Sequence, residues 1–183
     1  MLTGVMATVG VIVTGAPGSG KSVTLQALSD LLTDLAVEHG AIESEQLAWG
    51  YPWLPFGDMV GQLQAVLAAQ ARIGRRLFLV AATPETDEQL DALVEAVGGE
   101  SVLVVALRAS SDVVAERLLR REPAEWSGLA RLTEHARYLT ETTPHLRRVD
   151  TVIDTQDRSP SDVARLIYEA MASTTRLEGR IGP

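Results

Sequence analysis

Residues 15 to 22 read Gly15-Ala16-Pro17-Gly18-Ser19-Gly20-Lys21-Ser22, the pattern Gly-x-x-x-x-Gly-Lys-Ser. Gly15, Gly18 and Gly20 permit backbone conformations that a Cβ would resist. A loop of this kind turns its backbone N–H groups inward, where they meet phosphate oxygens, helped by the N-terminus of the following helix. Ala16, Pro17 and Ser19 complete the loop, and Val23 follows it into that helix. Lys21 is expected to reach the β- and γ-phosphates of a nucleoside triphosphate, and the Ser22 hydroxyl to ligate magnesium. No Asn-Lys-x-Asp guanine motif follows a late strand, so the expected nucleotide is ATP.

Such a loop works only between a strand and a helix, and both are legible. Thr8 to Thr14 is a β-branched run that reads as a buried strand. Leu25, Leu28, Leu32 and Leu35 recur at helical spacing, so a helix starts near Gly20. Further strands are expected at Ala41 to Ser44, Leu77 to Ala81, Val102 to Leu107 and Thr151 to Asp154. Between them, Asp58 is placed to cap a helix ending near Gly74, and Thr86 with Gln89 forms a capping box for a helix to about Val97. Ser110 or Ser111 caps a helix carrying Arg117, Arg120 and Arg121. Another helix covers Leu129 to Thr142, and Ser159-Pro160 opens the last. Strand and helix alternate five times, which predicts an α/β fold with a five-stranded parallel sheet and helices on both faces, the three-layer P-loop arrangement. No repeat or linker divides the chain, so one domain is expected over residues 1–175, with a flexible tail at 176–183.

Composition narrows the chemistry. The 183 residues contain no cysteine, which removes disulfides, thiolate catalysis and cysteine–zinc sites. The three histidines form no metal-binding pair at helical spacing, so a bound metal should be a hard cation held by oxygens. The net charge is −8 and the arginines cluster locally, which argues against nucleic acid and for a small anionic ligand. No apolar run is long enough for a bilayer, and the apolar start lacks a basic flank and leads straight into the loop. A cytoplasmic protein, monomeric or homodimeric and without a membrane partner, is therefore expected.

With this loop and this alternation the chain resembles the small P-loop kinases, a group that includes nucleoside monophosphate, gluconate and adenylylsulfate kinases. The resemblance covers most of the chain, with the loop as its strong motif, and implies transfer of the ATP γ-phosphoryl group to a hydroxyl of a small acceptor. Such kinases often carry Asp-x-Asp after the second strand. This chain has Glu43-Ser44-Glu45 there, which implies Glu45 as catalytic base and Glu43 beside magnesium. In a strand the two carboxylates would face the same side. The strand-end aspartate of many P-loop proteins is missing from Leu79-Val80-Ala81-Ala82-Thr83-Pro84, as it is in adenylylsulfate kinases. The segment Glu116 to Glu122 is similar to the arginine-bearing helix and lid of these kinases. Arg117, Arg120 and Arg121 share a helical face there. At least one of the three, with Arg117 and Arg121 as the candidates, would stabilise charge developing in transfer, or the group is a solvated helix end. The lid spans about residues 121–130. Arg158, after the fifth strand, either stacks on the adenine or is a surface arginine.

The acceptor site is expected between the second strand and the next helix, where Trp49, Tyr51, Trp53 and Phe56 cluster. They form either an aromatic wall for a ring-bearing acceptor or a hydrophobic plug under a proline-rich loop, with the plug slightly favoured. Arg72, Arg75 and Arg76 either bind an anionic acceptor or simply end a helix. Two other functions fit the same residues: a nucleotide-binding regulatory module without phosphotransfer, and a toxin-like sugar-nucleotide kinase.

Overall fold

The structure, a computed structural model, describes residues 9–98 and 102–174. The expected start of the first strand at Thr8 and the expected tail at 176–183 lie outside the described residues. The strands are β1 (Val9–Thr14), β2 (His39–Glu43), β3 (Leu77–Ala81), β4 (Val102–Arg108) and β5 (Thr151–Asp154). The helices are α1 (Lys21–Asp34), α2 (Ser44–Ala48), α3 (Phe56–Arg72), α4 (Asp87–Val97), α5 (Ser111–Arg121), α6 (Leu129–Thr142) and α7 (Pro160–Ser173).

All five strands pair in parallel, in the order β2-β3-β1-β4-β5. Successive side chains of a strand point to opposite faces, so β1 divides its residues between two cores. Val9, Val11 and Val13 pack with Leu25, Leu28 and Leu32 of α1 and with Val163 and Ile167 of α7. Ile12 packs on the other face with Met59 and Leu63 of α3 and with Leu90 and Leu93 of α4. Between those residues, Gly10 leaves room for α4, since a Cβ there would collide with the Val97 side chain. A smaller cluster of Val114, Leu118 and Ala136 joins α5 to α6.

The chain leaves β1 towards β2 and β3 on one side and reaches β4 and β5 on the other. The order therefore reverses beside β1, and a crevice opens outside the carboxyl ends of the strands at such a point. Register brings the functional residues to that rim: Val13 lies opposite both Ala81 and Val105, and Glu43 opposite Ala81.

Four sequence expectations need correction. The second strand is His39–Glu43, because Ser44 already belongs to a helix. Glu43 and Glu45 thus do not alternate along one strand. Asp58 is not a cap, since α3 begins two residues earlier behind Pro55 and Asp58 sits in its first turn. Leu35 lies past the end of α1 and is exposed, because the chain turns through Ala36, at φ 55°, to enter β2. β4 runs one residue further, to Arg108. The other caps stand as read: Thr86, Ser110 and Ser159 each accept from the N–H three residues on. In the capping box, however, Gln89 reaches back to the N–H of Glu85 rather than to that of Thr86.

Candidate active site

The loop between β1 and α1 closes over the rim of the sheet. Gly15, Gly18 and Gly20 have φ of 143°, 85° and 103°, a region that side chains resist. Space adds a second demand at Gly15, where a Cβ would stand 2.5 Å from the Leu107 carbonyl oxygen and 2.6 Å from Ser19 Oγ. Ser19 N–H donates to Ala16 inside the loop. The first N–H groups of α1 have no acceptor within the helix and point to the same concavity. Ser19 Oγ is buried and, among the described residues, has no hydrogen-bond partner.

Lys21 folds back over this cradle. Its Nζ donates to the carbonyl oxygens of Gly15 at 2.9 Å and Ala16 at 3.2 Å. Burial pushes its pKa down from 10.5 to about 8; the carboxylate of Glu45 opposes the shift, the guanidinium of Arg121 adds to it and Glu43 opposes it. The ammonium is thus held where its charge is costly, a cost that an anion in the cradle would relieve.

Two acids face the lysine. Glu43, the last residue of β2, accepts a hydrogen bond from Ser22 Oγ at 3.0 Å on Oε2. Glu45, in the first turn of α2, has a buried Oε1 with no hydrogen-bond partner among the described residues. Both line one cleft of about 860 Å³ with Pro17 to Ser22, Val23 and Arg158. The two carboxylates reach the cleft from different elements, one carried by the strand end and the other by the helix turn after it.

Arg117, Arg120 and Arg121 also line the cleft, as their helical spacing implies. They are not equivalent. Arg117 Nη1 donates to the carbonyl of Gly18 and to Thr155 Oγ1, and Nη2 donates to the Thr155 carbonyl at 2.9 Å. Thr155, buried, donates in turn to the carbonyl of Ser19 at 2.9 Å. Arg117 therefore ties α5 and the turn after β5 to the phosphate loop rather than standing free as an arm. Arg121 pairs with Glu122 at 2.6 Å, and Arg120 lies 3.9 Å from Glu116. These two stand at the exposed end of α5, where the 122–128 segment leads to α6. Arg158 Nη1 is held by the carbonyl of Asp154 at 2.8 Å while its side chain lines the cleft.

A second pocket, of about 370 Å³, opens from the same space; Pro17, Glu45, Trp53 and Thr83 line both. Phe56, Leu54 and Met59 form its apolar wall. Of the four clustered aromatics, Trp49, Tyr51 and Trp53 are exposed, at 73%, 103% and 58%, so they form no plug, and Phe56 alone packs against the core. Only Trp53 and Phe56 line a pocket. Arg75 and Arg76 precede β3, at the opposite end of the sheet, and are bonded to Gln70 and Ala71 of α3. Neither they nor Arg72 line either pocket.

Three contributors escaped the sequence reading. Thr155 and the pair His135–Glu85, whose Nε2 and Oε1 are 2.9 Å apart, bridge segments far apart in the chain. Thr83 stands where an aspartate was sought, after β3, and its position was the available signal.

The residues suit magnesium as an ion shared with phosphate. No group of three or more acidic or histidine side chains among the described residues could hold a metal unaided. Magnesium characteristically takes one or two protein oxygens and completes its shell with phosphate and water. Ser22 Oγ and Glu43, already 3.0 Å apart, supply such a pair. No helix among the described residues is long and apolar enough to cross a membrane.

No known protein family's sequence profile matches the chain, and no curated protein sequence does. Solved structures do match. Shikimate kinase from Acinetobacter baumannii, solved with shikimate, is 16% identical, with a TM-score of 0.61 over 92% of this chain and 95% of that one. A gluconokinase from Sinorhizobium meliloti 1021 is 21% identical, with a TM-score of 0.61 over 86% and 87%. The Mycobacterium tuberculosis APS kinase CysC, solved with AMPPNP and APS, is 18% identical, with a TM-score of 0.58 over 91% and 99%.

Proposed function

From the fold of the small P-loop kinases, which this chain has, we propose that the protein is a phosphotransferase that moves the γ-phosphoryl group of ATP to a hydroxyl of a small molecule. One observation carries this reading: the cleft around Lys21 and the second pocket share Pro17, Glu45, Trp53 and Thr83 as common walls, so Glu45 faces both.

In this reading the loop N–H groups and Lys21 bind the β- and γ-phosphates, and Arg117 fixes the loop against α5 and Thr155. Magnesium, held by Ser22 and Glu43, would neutralise phosphate charge. Glu45 accepts the proton of the acceptor hydroxyl as its oxygen bonds to the γ-phosphorus and the bond to the β-phosphate oxygen breaks, releasing ADP. A buried carboxylate oxygen without a donor suits that task, because the incoming hydroxyl supplies the missing hydrogen bond. Lys21 and Arg121 offset the charge that spreads over the transferring oxygens. Arg158 lies against the nucleotide base, and the 121–130 lid excludes water, which would otherwise compete as acceptor.

The experiment is a transfer screen: protein, magnesium and labelled ATP are incubated with a metabolite pool, and a new phosphorylated species is sought. It should appear with the wild type and vanish with Lys21→Ala. Tight ATP binding with no labelled product in any pool would favour a nucleotide-binding module instead, a reading that the absence of an aspartate at the end of β3 also suits.

A further inference from the structure

The two halves of the cleft differ in charge. Arg117, Arg120, Arg121, Arg158 and Lys21 all line the nucleotide half. Among the described residues, no lysine or arginine lines the pocket beyond Glu45; its acidic members are Glu45 and Glu85, with His135 bonded to Glu85. Thr83 and Gln89 add two uncharged polar groups, and the rest of its wall is apolar or aromatic. Three arginines that an anionic acceptor would have needed, Arg72, Arg75 and Arg76, lie elsewhere.

An acceptor bearing a carboxylate, sulfate or phosphate would lose its hydration here and meet two carboxylates, with no lysine or arginine beside it and the one basic side chain of the wall, His135, already bonded to Glu85. Desolvating an anion without a partner is costly, and like charge beside it adds to the cost. A hydroxyl compound with an amine meets the opposite situation. Its ammonium is attracted by Glu85, its hydroxyl donates to the partnerless Glu45 Oε1, and a ring face covers Trp53 and Phe56. The volume of about 370 Å³ lies at the small end of the range for ligand pockets, about 300–1,000 Å³, and limits the occupant to a compact molecule.

We propose that the acceptor is a compact, amine-bearing hydroxyl compound with an apolar ring face, held between Glu85 and Trp53 and phosphorylated on the hydroxyl nearest Glu45. This rests on the phosphotransferase reading for the reaction, but not for the class of molecule bound. The transfer is balanced as above: the acceptor O–H proton goes to Glu45, a P–O bond forms, and ADP carries away the electron pair of the broken bond.

The test uses the full chain and two readouts. Matched sets of acidic, neutral and amine-bearing hydroxylated ring compounds are titrated against Trp53 fluorescence, with Trp53→Phe as the control that loses the signal. The same sets are then assayed for labelled phosphate transfer. Amine-bearing compounds are expected to bind and to be phosphorylated best. Glu85→Gln should raise their KM about three- to tenfold, the loss expected for a partly exposed charged contact, and should raise the KM of amine-bearing compounds more than that of neutral ones. Preferred binding or phosphorylation of acidic compounds overturns the proposal and leaves the kinase reading standing. Binding of amines without any transfer upholds the ligand class and overturns the kinase reading. Failure of every set to bind, or an unchanged amine KM in Glu85→Gln, also overturns the proposal.

Discussion

On the proposed function, Lys21 should make nucleotide binding sensitive to pH in a range where most side chains are silent. In the free protein burial holds its pKa at about 8, against 10.5 for an ordinary lysine. A bound triphosphate surrounds the ammonium with negative charge and returns it to the protonated form, so binding above pH 8 must take up a proton. Apparent Kd then scales as 1 + 10^(pH − 8), which gives a weakening of about tenfold between pH 7 and pH 9. Phosphate groups titrate near ~6 and stay constant across this window. The assay is calorimetric titration with the magnesium salt of a non-hydrolysable ATP analogue, in buffers of different ionisation enthalpy. About half a proton should be taken up per nucleotide at pH 8, approaching one at pH 9. Lys21→Arg keeps its charge throughout and should bind more weakly but without the slope. A flat Kd in the wild type, or the same slope in Lys21→Arg, would refute the reasoning. Stability of the free protein follows the same linkage with the opposite benefit. The folded pKa is depressed, so the cost of the buried charge is fully present below pH 8 and is relieved as the pH rises from 8 towards 10.5.

Three further outcomes are expected. Glu45→Gln should lower kcat by about 10²- to 10⁴-fold with little change in ATP affinity, as measured by ADP release; full turnover would remove Glu45 as the base. Arg117→Ala should weaken nucleotide binding and lower the melting temperature together, because it frees Thr155 and the Gly18 carbonyl at once, and Arg117→Lys should rescue neither, lacking the planar fork. Gly10→Ala, far from the chemistry, should cost about 2 kcal/mol by overpacking β1 against Val97, a fall of roughly 4–8 °C in Tm at this chain length, read by thermal unfolding.

The phosphate loop and its flanks were legible because their determinants are local. Positive φ at 15, 18 and 20 demands glycine, β1 is a short buried run, and α1 repeats leucine at helical spacing, so neighbours in sequence suffice. Caps at Thr86, Ser110 and Ser159 were readable for the same reason, and five alternations of strand and helix gave the parallel sheet. The position of Glu45 was inferred on a strand and is in fact on a helix, since where β2 ends depends on its pairing with β3 and on α2 packing against α3, not on the tripeptide Glu43-Ser44-Glu45 itself. Spacing puts Arg117 on one helical face with Arg120 and Arg121, yet its partners Gly18 and Thr155 lie 99 and 38 residues away in sequence. The charge of the second pocket is likewise a tertiary property: it arises where α2, α3, α6 and the segment after β3 meet, with Glu85 and His135 brought together across 50 residues. A sequence can specify the conformation of a loop, but the sign of a cavity depends on which distant side chains the fold turns towards it.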